Sequence, residues 1–256
     1  MIGVLVRMRL RVLARALREP RVLLGAVAGL VAAGLTVWVC ARVFATQDAT
    51  VDVVAALFAG WTIGWLIGPL LASRPAGPAE RFAPPTTPRR VVGGLACMAF
   101  VGVPSAVSLV AFGGLVSFAG RDLGAVLVAV PAAVLQLALV VLLSRVVVTA
   151  LGAAVRSRPA RVLGLVVAVA TGSAAAGAGP VLAAGHSAEL SELVRALPTG
   201  WAPVAVDAAA DGRWLVAVSC LLGLAALVAA LLVGWADLVA RRGVPTAPAP
   251  VIRKVA

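Results

Sequence analysis

The sequence predicts an all-α membrane protein with six transmembrane helices. The chain is 62% hydrophobic with a mean hydropathy of +1.08, so polar residues are too few to cover a soluble globule. Six apolar runs approach or exceed the about 20 residues that a helix needs to cross the hydrocarbon core of a bilayer. The predicted spans are about 22–45, 51–72, 91–119, 123–151, 162–184 and 214–239.

The charges predict the orientation of these spans. Of the 22 basic residues, all but Arg42, Arg121, Arg195 and Arg213 lie on the side of both termini, and most acidic residues lie on the opposite side. Positive charge is retained on the cytoplasmic side, so both termini are predicted to be cytoplasmic. The net charge of +12 lies in short segments beside the spans, which predicts contact with membrane lipids and no nucleic-acid partner.

The chain divides into three parts. Residues 1–20 are predicted to form an amphipathic helix in the membrane interface, because Arg7, Arg11, Arg15 and Arg18 share one face opposite the apolar residues. The alternative is a basic tail that only sets the orientation. Residues 21–242 form the six-span domain, and the proline-containing segment 243–256 is predicted to be a disordered cytoplasmic tail.

Two kinds of residue inside the spans predict how the helices pack. Gly60, Gly64 and Gly68 recur every four residues in span two, so another helix could approach their shared face closely, within the monomer or at a dimer seam. Pro104 and Pro131 fall within spans three and four, where a proline kinks a helix or removes a backbone hydrogen bond.

The cytoplasmic connection between spans two and three is predicted to be a shaped docking element. It is rich in proline and has one aromatic residue, whereas an ordinary basic loop needs neither. The candidate contact residues are Arg74, Glu80, Arg81, Phe82, Pro84, Pro85, Thr86, Thr87, Pro88, Arg89 and Arg90.

The connection between spans five and six is long and apolar for a loop. Two short helices are predicted there, one from His186 to Leu197 and one from Ala202 to Ala210. They fit a re-entrant element that dips into the outer leaflet better than a solvated loop. The residues that shape this element are Pro198, Gly200, Trp201, Gly212 and Trp214.

The sequence offers no catalytic machinery. It has no phosphate-binding loop ending in Lys-Ser/Thr, no HExxH and no plausible Ser/His/Asp set, and its single histidine is His186. We therefore expect no catalytic residue, no metal site and no cofactor bound by this chain. A membrane-embedded transferase would need polar residues converging near one interface, and the sequence shows no such group.

Two local motifs give the chain a family resemblance. Phe82 to Arg90, FAPPTTPRR, resembles the F-x-x-x-P-x-(S/T)-P-R-R element before the third span of permease subunits of type-2 ABC exporters, in their actinobacterial members, with one residue fewer between the phenylalanine and the first proline of the element. The segment from Leu197 to Ala202 and on to Trp214 is similar to their P-x-G-W-A…A-x-x-G-x-W pattern before the sixth span.

The resemblance implies an exporter permease in the bacterial cytoplasmic membrane rather than an enzyme. A separate ABC ATPase, present as two copies or as a dimer, would bind ATP-Mg. Residues 74–90 would couple it to the spans, beside an elbow helix at 1–20. A second permease half, either the same chain or a sister subunit, would complete the path for hydrophobic or amphipathic cargo. The alternative function is a non-catalytic membrane scaffold or lipid-organising protein.

Overall fold

The structure is a computed structural model that describes residues 19–43, 50–71, 100, 102–120, 122–151 and 188–242. Over these residues the chain is all-helical, with no strand, as the sequence predicts. The helices are α1 (Pro20–Val43), α2 (Thr50–Leu71), α3 (Val103–Phe118), α4 (Leu123–Leu151), α5 (Ala188–Ala196), α6 (Trp201–Ala210) and α7 (Trp214–Arg242).

Several predicted elements lie outside the described residues. They are the interfacial helix before residue 19, the docking connection 74–90 with all its candidate residues, the fifth span at 162–184 and the tail at 243–256. These predictions stay predictions.

Three of the described helices are long and apolar enough to cross a membrane. Their apolar stretches are Leu23–Arg42 in α1, Leu123–Ala150 in α4 and Trp214–Val239 in α7. The apolar stretches of α2 and α3, Val51–Ile67 and Val103–Phe118, are shorter.

Helix α3 begins at Val103, inside the predicted third span, and Phe100 just before it is also helical. The backbone of Gly102 is extended, with φ −177° and ψ 160°, and Pro104 occupies the first turn of the helix. Proline disfavours helical backbone at the residue before it but suits the first turn, where its missing N–H has no helical partner. Pro104 therefore lies at a helix start, whereas Pro131 lies inside the continuous helix α4.

Contacts near the helix ends give the helix directions. A Cβ on Gly29 would lie 3.2 Å from Val107, and one on Gly114 would lie 3.2 Å from Cys40, so α1 and α3 run parallel. The ring of Trp214 lies against Gly124 near the starts of α7 and α4.

Indole hydrogen bonds extend this pattern to the other ends of the helices. Trp235 donates to Thr149 near the ends of α7 and α4, 3.3 Å apart, so those two helices are also parallel. Trp65 of α2 donates to Ser108 Oγ of α3 at 2.7 Å and accepts from Ser144 Oγ of α4 at 2.8 Å. These contacts place α2, α4 and α7 in one direction and α1 and α3 in the other.

The starts of α2, α4 and α7 consequently lie at the same end of the bundle. We call it the acidic end, because Asp52, Asp122, Asp207 and Asp211 lie there. Helix α4 is central, since it contacts α2, α3, α6 and α7. The Asp122 carboxylate caps its start by accepting hydrogen bonds from the N–H groups of Gly124 and Ala125.

Among the described glycines, a close contact with the backbone of another long helix is found at Gly114. A Cβ added at Gly60 or Gly64 would meet nothing within 4 Å, and the surroundings of Gly68 are outside the description. A helix contact at this stripe stays a prediction. Gly114 of α3, in contrast, lies so close to α1 that a Cβ would be 3.3 Å from Val37 Cα. Small residues allow such backbone contact where helices pack in an apolar layer.

We expect Gly114→Leu to destabilise the α1–α3 contact by about 1–3 kcal/mol, because the side chain would press on backbone atoms that cannot rotate away. Thermal unfolding of the detergent-purified chain measures the effect as a lower Tm. The matched control is Gly113→Leu at the neighbouring position, where a Cβ would meet nothing within 4 Å. Equal Tm losses for both variants would contradict the contact.

Candidate functional site at the acidic end

Helices α5 and α6 fold back into the acidic end of the bundle. Helix α6 contacts α2, α4 and α7, and α5 contacts α2. The buried residues of α6 are mostly alanines, together with Pro203 and Val206. Small side chains allow a short helix to fit between long ones, so α6 is embedded in the bundle rather than lying over it.

The turn between α5 and α6 is tight. A Cβ on Gly200 would collide with the carbonyl oxygen of Val194, so only glycine fits there. The Gly200 N–H donates to Leu197 O at 2.8 Å. Pro198, half-buried, precedes it, and Trp201 Nε1 donates back to Ala196 O at 3.1 Å. These bonds fix the angle at which α6 enters the bundle.

Two tryptophan rings pack the α5–α6 segment and the start of α7 against neighbouring helices. The ring of Trp201 packs on Gly223 of α7, and the ring of Trp214 packs on Gly124 of α4; a Cβ on either glycine would lie 2.8 Å from the ring. Trp214 is also half-exposed, which suits the predicted aromatic anchor at a membrane surface. Both indoles therefore serve as packing surfaces between helices.

The end of α6 is shaped by Gly212. Its φ of +73° is in the left-handed region, which glycine adopts without steric cost. The Arg213 N–H donates to Ala208 O and the Gly212 N–H donates to Ala209 O, the pattern of a Schellman cap. The chain can therefore reverse between α6 and α7 with its last carbonyls bonded.

A buried carboxylate holds α5 against α2. Arg195 of α5 contacts Asp52 of α2 twice, Nε to Oδ1 at 2.5 Å and Nη2 to Oδ2 at 3.0 Å. Ser191 Oγ donates to the same carboxylate at 2.5 Å. The Asp52 side chain is 7% exposed and that of Arg195 49% exposed. The hydrogen bond to Asp52 raises the pKa of Arg195 above its ordinary value.

A second charge cluster, between α6 and α7, is more exposed to solvent. Arg213 Nη2 is 3.2 Å from Asp207 Oδ2 and 2.8 Å from Asp211 Oδ2. Burial raises the pKa of Asp207, and the charge of Asp211 raises it further, while Arg213 and Arg195 lower it. The net effect is a pKa of Asp207 above the ordinary aspartate value.

The structure brings together one group of predicted site residues. Pro198, Gly200, Trp201, Gly212 and Trp214 all lie around α6, where each supports a turn or a helix contact. The sequence does not predict the Asp52–Arg195 pair, because it shows both residues only as charges on the side opposite the termini. The available signal was an aspartate in the first turn of an apolar helix, where an ionised group needs a partner.

The described part of the chain contains no group of three or more His, Cys, Asp or Glu side chains that could hold a metal ion. The described contacts of the acidic end are ion pairs, hydrogen bonds and packing of rings on glycines. Comparisons with protein families, with curated proteins and with solved structures found no match for this chain.

We expect Arg195→Ala to lower stability by about 1–3 kcal/mol, because it leaves the buried Asp52 carboxylate with Ser191 as its remaining described partner. Arg213→Ala is the control and should cost less than about 1 kcal/mol, since its pairs are more exposed. Thermal unfolding at neutral pH compares the two. A larger effect of Arg213→Ala would contradict the assignment of Asp52–Arg195 as the dominant pair.

Asp207→Asn should raise Tm at neutral pH. A carboxyl whose folded-state pKa is raised contributes stability that is present below its unfolded pKa and lost as pH rises through the folded pKa. The variant has no carboxyl to ionise at this position, so it does not lose this stability as the pH rises. Its higher Tm relative to the wild type should therefore approach the wild-type value as the pH falls to the ordinary aspartate range. Parallel melting curves across that interval test the sign. An advantage that grows on acidification would contradict it.

Proposed function

We propose that the chain is the transmembrane permease subunit of an ATP-driven ABC exporter in a bacterial cytoplasmic membrane. Its cargo would be hydrophobic or amphipathic. The observation that carries the proposal is the pair of short helices α5 and α6, which fold back among the long helices immediately before the last one. A re-entrant element at this place in the chain is what the family resemblance implies.

The helix directions support a six-span arrangement. Helices α1 and α3 run opposite to α2, α4 and α7, as consecutive crossings require. Helix α4 ends at Leu151, opposite the acidic end, whereas α5 begins at the acidic end beside α2. A fifth span at 162–184, as the sequence predicts, would connect these two ends of the bundle. The positive-inside rule then assigns the acidic end to the outer face, with both termini inside.

Helix α2 is suited to transmit force between the two faces. Its far end leads into the predicted coupling connection at 74–90, and its near end holds Asp52 and, through it, α5. Between these points, Trp65 bonds to both α3 and α4. Movement imposed by the ATPase at the 74–90 connection would therefore reach the outer short helices through one continuous helix.

The pathway would need a second permease half, either another copy or a sister subunit, and two ATPase sites that hold ATP-Mg. Helix α7 is largely open on the side away from α4 and α6, with Leu215, Leu222 and Val233 exposed. Lipid or the second half would cover that apolar surface in the membrane.

The test is capture of the ATPase. The affinity-tagged full chain, purified from membranes of its own organism in mild detergent, should carry an ABC ATPase identified by mass spectrometry. Phe82→Ala combined with Arg89→Ala and Arg90→Ala should reduce the captured ATPase at least about tenfold, because hot-spot aromatic and arginine contacts dominate such interfaces.

Arg213→Ala, at the opposite end of the bundle, is the control and should leave capture unchanged. If the wild-type chain carries no ATPase, or if the loop variant binds it equally well, the exporter proposal is wrong. The alternative function, a membrane scaffold, predicts that the substitutions in the 74–90 connection have no effect.

A further inference from the structure

Most polar side chains that the structure describes inside the long helices have a hydrogen-bond partner. Trp61 Nε1 donates to Thr36 Oγ1 at 3.0 Å, and Thr36 Oγ1 donates to Ala32 O at 2.9 Å. Thr62 Oγ1 donates to Phe58 O at 2.9 Å. Further such bonds are made by Trp65, Ser108, Ser144, Thr149 and Trp235. The interior is thus built to satisfy its polar groups.

Gln136 of α4 departs from this rule. Its side chain is fully buried, and neither its Nε2 nor its Oε1 has a hydrogen-bond partner. Among the described residues, the only other unpartnered buried side-chain atom is the hydroxyl oxygen of Thr199 in the α5–α6 turn. An unpaired buried polar group costs about 1–3 kcal/mol, so its presence requires an explanation.

Gln136 faces the interior of the bundle near the middle of α4. The residues Leu127 and Val134 are exposed, at 74% and 55%, and mark the outward face of this helix. At about 100° per residue, Leu127 lies about 180° from Gln136 and Val134 about 160°. The amide therefore points away from the lipid-facing side and toward the centre, where α4 is flanked by other helices.

We propose that Gln136 is a substrate-contact residue that recognises a neutral amide-bearing group on an otherwise apolar cargo. This inference rests on the proposed export function. The glutamine amide offers a donor and an acceptor side by side, and a carboxamide presents the complementary pair in the same planar geometry. The side chain carries no charge, so neutral ligands are favoured over ions.

The unpaired amide also favours opening of the bundle around it. In the closed arrangement Nε2 and Oε1 lack partners, whereas separation of the neighbouring helices would let them bond to a ligand. A ligand that binds only the opened arrangement shifts the population toward it. Loading of cargo and opening of the path are then linked at one residue.

The probe pair is dansylaminoundecanamide and the methyl ester of the same chain, which differ at the terminal group. Binding is measured by dansyl fluorescence with the full chain in lipid nanodiscs, against empty nanodiscs of the same lipid. The wild-type chain should bind the amide about tenfold more tightly than the ester, since the amide makes two hydrogen bonds and the ester cannot donate. Gln136→Leu should abolish the preference.

Stability distinguishes recognition from a structural role. Gln136→Leu keeps the volume and removes the unpaired atoms, so its Tm should equal or exceed that of the wild type. The control Ser144→Ala loses a made hydrogen bond to Trp65 O; its Tm should fall while its amide preference persists.

Equal binding of both probes by the wild type, a preference retained in Gln136→Leu, or loss of folding in that variant would each overturn the proposal. The assay contains no ATPase or nucleotide. Failure here therefore counts against Gln136 alone, and failure of ATPase capture counts against the exporter function.

Discussion

The arrangement of the acidic end depends on the need of a buried carboxylate for partners. Asp52 lies in the first turn of an apolar helix with its side chain nearly inaccessible. A carboxylate in that position is tolerated only when paired and hydrogen-bonded, and Arg195 and Ser191 supply both. Those residues are far along the chain, so this single requirement brings α5 to α2. Once α5 is fixed, the tight turn at Gly200 directs α6 into the bundle.

The centre of the bundle obeys the same constraint with neutral groups. Indole N–H groups cannot be left unbonded in an apolar layer, so each of Trp61, Trp65 and Trp235 reaches a hydroxyl on another helix. Such bonds fix rotation and height of one helix against the next, which apolar contact alone does poorly. Together with the close contacts at Gly114 and Gly124, they hold the long helices in register.

The apolar runs lie within a few residues of α1, α2, α4 and α7, but they predict neither the start of α3 nor which helices are neighbours. The fourth span was expected at 123–151, the bounds that α4 has, and the short helices α5 and α6 lie within a few residues of their expected places. These follow from local apolar runs, prolines and glycines. The partner of Asp52 and the close contact of α1 with α3 at Gly114 do not. Residue spacing shows which residues share a helix face, but whether that face meets a neighbour depends on the packing of the whole bundle.

The acidic end and the interior around Gln136 differ in what it costs to separate their helices. The acidic end is held by a buried ion pair and by rings pressed on glycines, contacts that are lost steeply with small separations. At Gln136 the balance differs, because separation of the neighbouring helices would remove the cost of the unpaired amide and so offset part of the packing lost there. If the chain is an exporter permease, as we propose, a ligand bound at Gln136 would stabilise the separated helices while the Asp52–Arg195 pair still holds α5 against α2.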